Sequence, residues 1–117
     1  MAKYEKSLRG DFDELLNWLH RDITGGSASV TYEDGSDAVM GQVRLAVRVY
    51  ERYSMAGGNR VSLNVTLMGY GDQLFLSAIT SGGSQAVFFK LNTLGEETFL
   101  DLCVNSVERF VSYQRHQ

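Results

Sequence analysis

Proline is absent from this chain of 117 residues, cysteine occurs once, histidine twice, and no apolar run is long. Each shortage removes a class of protein. The single Cys103 cannot close an internal disulfide, and with only His20 and His116 beside it a structural zinc site lacks its donors. The longest apolar stretches fall well short of the roughly 20 residues that a membrane-crossing helix needs. Lys and Arg number 11 against 14 Asp and Glu, a net charge of −3, so neither nucleic acid nor an anionic membrane is the expected partner. The opening MAKYEKSLRGDF has no apolar core of a signal peptide, which makes the reducing cytoplasm the expected compartment and the Asn64-Val65-Thr66 sequon incidental. Residues 1–117 suit one domain with one core.

Catalytic signatures are missing as well. No G-x-S-x-G, G-x-x-x-x-G-K, G-x-G-x-x-G or H-E-x-x-H occurs, so serine hydrolase, P-loop, dinucleotide-binding and zincin chemistry lack their usual geometry. Cys103 falls on an apolar helical stripe and reads as a small buried hydrophobe. Glu33, Asp34 and Asp37 surround a turn, which explains acid and glycine there before a calcium site does. No catalytic residue, cofactor or metal is expected.

What is present is glycine as punctuation and clear periodicity between the glycines. Gly25-Gly26, Gly57-Gly58, Gly69-Tyr70-Gly71 and Gly82-Gly83 separate the patterned segments. Phe12, Leu15, Leu16, Leu19 and Ile23 recur at helical spacing behind Asp11 with Glu14, an approximate capping box, and predict a helix over Asp11–Ile23. Asp13 and Glu14 in its first turn and His20 and Arg21 near its end suit the macrodipole. Thr93 with Glu96 starts a second helix over about Gly95–Tyr113, carrying Phe99, Leu102, Cys103, Val107, Phe110 and Val111. Trp18 and Tyr113 lie at helix edges.

Residues Met40 to Arg52 carry the strongest alternation: Val43, Leu45, Val47 and Val49 are apolar, and Arg44, Arg48 and Arg52 are cationic. A strand with one dry and one charged face follows. A turn at Asp34–Asp37 would pair Tyr32 with Val39 and Ala28 with Val43. A Tyr70-Gly71 turn would pair Leu67 with Leu74 and Leu63 with Ala78. A loop at Ser81–Ser84 would add a strand Gln85–Leu91, with Val87 opposite Ala78. Tyr4 and Leu8 suggest a further strand before the first helix. The expected fold is α+β, a five- to six-stranded antiparallel meander with two helices packed on one face, the Val43–Val49 face.

The opposite face would then hold Arg44, Arg48, Tyr50, Arg52, Phe75, Ile79 and Phe88, a mixed surface that solvent alone does not explain. It is the candidate interface or ligand face. Arginines beside aromatics also admit an RNA-binding reading, but no RNP-like sequence is present and the acidic balance opposes it.

The order of strand, helix, meander and C-terminal helix resembles a shortened helix-grip (START-like) domain, one strand short and without that family's second short helix. The chain is also similar to small bacterial proteins grouped as domains of unknown function. Neither resemblance carries ligand residues across. The expected function is a non-catalytic interaction module that self-associates, as a homodimer or with a protein partner, through the outer sheet face. The alternative is a carrier or sensor of a small apolar or amphipathic ligand held between the sheet and the C-terminal helix near Phe99 and Phe110.

Overall fold

Alternating burial along Ala2–Arg9 forms the first strand, β1, whose even residues Tyr4 and Leu8 turn toward the core while Lys3 and Glu5 stay exposed. The computed structural model describes residues 1–26, 29–54, 59–82 and 89–117. Helix α1 follows at Phe12–Gly25, with Asp11 as its N-cap accepting the Glu14 N–H at 2.9 Å. It buries Phe12, Leu15, Leu19 and Ile23, as the spacing predicts. Its last turn contains no basic residue, so His20 and Arg21 lie a turn too early to act on the dipole.

Four strands come next, β2 (Val30–Met40), β3 (Val43–Ser54), β4 (Asn59–Tyr70) and β5 (Gln73–Gly82), and α2 (Phe89–Arg115) closes the order. The sheet runs β1-β5-β4-β3-β2 with every pairing antiparallel. Both helices cover one face of it, which confirms the α+β class. The strand expected at Gln85–Leu91 is corrected in part: residues 85–88 lie outside the described residues, and Phe89–Leu91 open α2. Its place beside β5 is taken by β1, which pairs Tyr4 with Ala78 and Leu8 with Leu74. A three-point alternation at 87, 89 and 91 is a weak signal beside a strand that seats two apolar side chains on the core.

The registers decide which face is which, and here the sequence expectation inverts. Asp34–Asp37 is not a turn. β2 runs on to Met40, and the hairpin closes on Gly41–Gln42, so that Met40 meets Val43. Gly41 has φ of +61° and Gly71, in the next two-residue turn with Asp72, has φ of +60°, the conformation that type II′ turns reserve for a glycine at the first position. Across β3 and β4, Arg48 pairs with Val65 and Tyr50 with Leu63, which puts the even residues of β3 beside the odd, buried residues of β4. A one-residue slip moves a whole strand to the other face. The pairing of β4 with β5 is offset by two residues, Leu67 meeting Leu76 rather than Leu74, which leaves the faces unchanged.

The core therefore lies under the even residues of β3. Ala46 and Tyr50 join Val61, Leu63, Val65, Leu67, Leu74, Leu76 and Ala78 against α1 and α2, and Val43, Leu45, Val47 and Val49 point away from the helices. β2 obeys the same division only after a bulge between Tyr32 and Asp34, which skips Glu33 and reverses the faces of the strand. Before it, Val30 and Tyr32 sit on the helix side. Beyond it, Asp34, Ser36, Ala38 and Met40 align with Val49, Val47, Leu45 and Val43 on the outer side.

Candidate functional site

The seven residues expected to form one surface are divided by the sheet. Arg44, Arg48, Tyr50 and Arg52 stand on the helix side, Phe75 and Ile79 on the outer side, and Phe88 lies outside the described residues. Arginine can occupy the helix side because its aliphatic stem packs on apolar groups while the guanidinium reaches an edge or a partner. Arg44 binds the Asp13 carboxylate of α1 with two hydrogen bonds of 2.9 and 2.8 Å, and its guanidinium lies 4.2 Å from the centre of the Phe12 ring. The hydrogen bonds from Arg44 hold the Asp13 carboxyl below its ordinary range. Arg48 donates to Asp37 at 3.0 Å and to the Val47 carbonyl at 2.9 Å. Arg52 covers the Phe99 ring at 5.2 Å, where burial lowers its pKa. Arg44 and Arg52 thus reach from the sheet to the helices, and Arg48 joins β3 to β2.

Tyr50 is the clearest correction to the expected surface, being 1% exposed. Its hydroxyl lies 2.9 Å from His20 Nδ1, and the rings of Tyr32 and His20 pack around it at 5.7 and 5.6 Å. Burial drives the Tyr50 phenol upward, so it stays neutral and acts as a core residue with a satisfied hydroxyl. Phe99 and Phe110, around which a ligand would be held, are both fully buried, and Phe110 meets Trp18 edge to face at 5.4 Å.

A second polar group joins the helices. Ser106, fully buried on α2, donates to Asp22 at 2.6 Å, and Arg109 donates to the same oxygen at 3.0 Å. Burial alone would push the Asp22 carboxyl up, but the bonds from Ser106 and Arg109 and the charges of Arg109 and Arg21 outweigh it and hold it low. A carboxyl whose pKa is lower folded than unfolded adds stability above the unfolded value of about 3.9, and that stability is lost as pH falls through the folded value. Asp22→Asn is expected to cost about 1 kcal/mol at neutral pH and to flatten the acid limb of urea midpoints recorded between about pH 7 and pH 3. An unchanged limb would remove Asp22 from the account. Elsewhere, Tyr4 donates to Glu108 at 3.2 Å, and burial followed by the Glu108 charge pushes its phenol up to about 12. Burial alone pushes the Cys103 thiol up to about 12. Among the described residues no group of three or more His, Cys, Asp and Glu is placed to hold a metal.

The surface that neither helix covers is the other side of the sheet. Down β3 it presents Val43, Leu45, Val47 and Val49 without a polar interruption, and across it Leu45 aligns with Met68 and Phe75, and Val49 with Asn64 and Ile79. Leu45 is 36% exposed, Met68 44% and Ile79 37%. At the end near the two hairpin turns the face dips into an open concavity of about 480 Å³ lined by Arg9, Val43, Met68, Tyr70 and Phe75. The β1 margin carries Lys3, Glu5 and Arg9, and the β2 margin carries Asp34. Phe75 and Ile79 lie on this outer face, and the valine column of β3 stands where the arginines were expected. The available sequence signal was Gly41, a glycine immediately before the long alternation, which selects the turn and hence the face.

A model of a family of unknown function, DUF6054, matches residues 1–111 of the chain. The chain belongs to that family. DUF6054 carries no activity to transfer, and no curated protein matches the chain. Among solved structures, the crystal structure of TTHA0849 from Thermus thermophilus is similar, at 11% identity over 92% of this chain and 91% of that one, with a TM-score of 0.35. So distant a likeness carries no argument, and the helix-grip order gains no confirmation from it. No helix among the described residues of this DUF6054 member is long and apolar enough to cross a membrane.

Proposed function

We propose that this chain is a non-catalytic interaction module whose uncovered sheet face packs against a second copy of itself. One observation carries the reading: the column Val43, Leu45, Val47, Val49 with Met68, Phe75 and Ile79 beside it lies on the face opposite both helices. An antiparallel sheet with one solvated face normally alternates apolar inside with polar outside. Here the apolar half of the strongest alternation is the outer half. Packing two such faces removes the patch from water, and homodimer interfaces are richer in apolar area than ordinary surface.

The dimensions suit such a partner. Five strands at about 4.8 Å and ten residues of β5 at about 3.3 Å give a face of roughly 800 Å², the per-partner area of a standard stable interface. A cytoplasmic setting belongs to the same reading, since the one cysteine is free and buried. The test is oligomeric state. Wild-type protein is expected to sediment as a dimer, and Met68→Asp, at an exposed position near the middle of the patch, to weaken that dimer at least about tenfold by placing a carboxylate in an apolar contact. A wild type that remains monomeric at its highest soluble concentration ends the proposal.

A further inference from the structure

The self-association just proposed leaves the symmetry axis open, and the charges at the sheet margins select one. A two-fold axis that stacks two sheets face to face runs either along the strands or across them. The registers give the outer face a row that reads Lys3, Ile79, Asn64, Val49, Asp34 from the β1 margin to the β2 margin. Rotation about an axis along the strands, passing over the central strand β4, keeps each row at its own height and reverses its order. Lys3 then faces Asp34 of the second copy, Ile79 faces Val49, and Asn64 faces Asn64. Rotation about an axis across the strands stacks β1 on β1 and inverts the rows; centred on the four rows from Lys3 to Arg9, it sets Lys3 against Arg9, whose own partner is Asp72 at 3.0 Å.

We propose that the second copy docks about the axis along the strands, with Lys3 of each protomer paired to Asp34 of the other. The next row sets Thr66 over Thr66 and Ser77 over Val47, and the row after it supports the same choice by placing Phe75 over Leu45 and Met68 over Met68, apolar on apolar. The margins are free to engage. Lys3 has Glu5 at 4.0 Å with its side chain 59% exposed, and Asp34 uses one carboxylate oxygen to accept the Gly35 N–H at 2.7 Å. Aligned sheets pack about 10 Å apart and cross at about 30°, displacements that a lysine stem spans. Like charges set directly opposite disfavour the rival axis, and this is where charge gives specificity to an interface whose area is apolar.

The test uses the full chain in two arms. Lys3→Glu alone and Asp34→Lys alone are each expected to weaken the dimer about tenfold, and the double exchange to restore it to within about threefold of wild type. In the second arm, Asn64→Cys is expected to join to its own copy through a short bis-maleimide, with wild type as the control because its one thiol, Cys103, is fully buried. If the wild type is a dimer that Met68→Asp dissociates, but the double exchange fails to restore it or Asn64→Cys fails to join, the axis is wrong and the interface stands. If the wild type is a monomer, both fall.

Discussion

Phe110→Ala is expected to lower the unfolding free energy by about 3–5 kcal/mol. The ring is fully buried where α2 crosses α1, against Trp18 at 5.4 Å. A methyl group added at Gly10, at the end of β1, would come within 3.2 Å of it, so the ring also fills the space where the first strand hands over to α1. Truncation leaves a cavity among groups that are otherwise fixed: Trp18 Nε1 donates to the Ser106 carbonyl at 3.0 Å, and Ser106 in turn is held by Asp22. Little collapse is available, which puts the cost toward the upper end of the range for this substitution. Urea unfolding followed by Trp18 fluorescence measures it. A loss below about 1 kcal/mol would mean that the helix pair is not a packed unit.

Gly69→Val is expected to cost about 2–3 kcal/mol, for the opposite reason, overpacking. Gly69 lies within β4, opposite Arg44 on one side and Leu74 on the other. A Cβ there would sit 2.7 Å from Phe12 Cδ2 and 3.1 Å from Leu74 Cδ2. The Phe12 ring cannot retreat, since the Arg44 guanidinium lies 4.2 Å above it and that guanidinium is held by Asp13. The glycine is thus the seat on which the first turn of α1 rests. Gly69→Ala combined with Phe12→Leu should recover part of the loss from Gly69→Ala alone, giving a coupling of about 1 kcal/mol in a double-mutant cycle. Strict additivity would refute the contact as the cause.

Gly69 also illustrates what could and could not be read in advance. Gly69-Tyr70-Gly71 is a turn signal, and the turn is there, but it uses Gly71 and Asp72 while Gly69 serves a helix contact that no local pattern records. Helix α1 was legible because its cap and its apolar spacing are local. The pairing of apolar faces on β4 and β5 was legible because an offset of two residues leaves parity intact. The faces of β3 were not. Arg44, Arg48 and Arg52 look like a wet face only if their guanidinium groups need bulk water, and each finds a carboxylate, a carbonyl or an aromatic ring instead. The candidate surface follows that inversion: Phe75 and Ile79 lie on the outer side of β5, and a shift of one residue between β3 and β4 brings the valine column to the same side and takes the arginines from it.

The bulge at Glu33 has a further consequence for the kind of assembly this sheet can make. β2 is an edge strand of 11 residues, long enough to template another chain through its unpaired backbone. The kink interrupts that template, and Glu33, Asp34 and Asp37 along the same strand set acid against acid if two β2 edges approach. Growth sideways, strand by strand, is the route to open-ended fibres, whereas stacking on one face closes after two copies. By spoiling its own edge, β2 disfavours sideways growth at its side of the sheet, which suits the closed, face-to-face association proposed above.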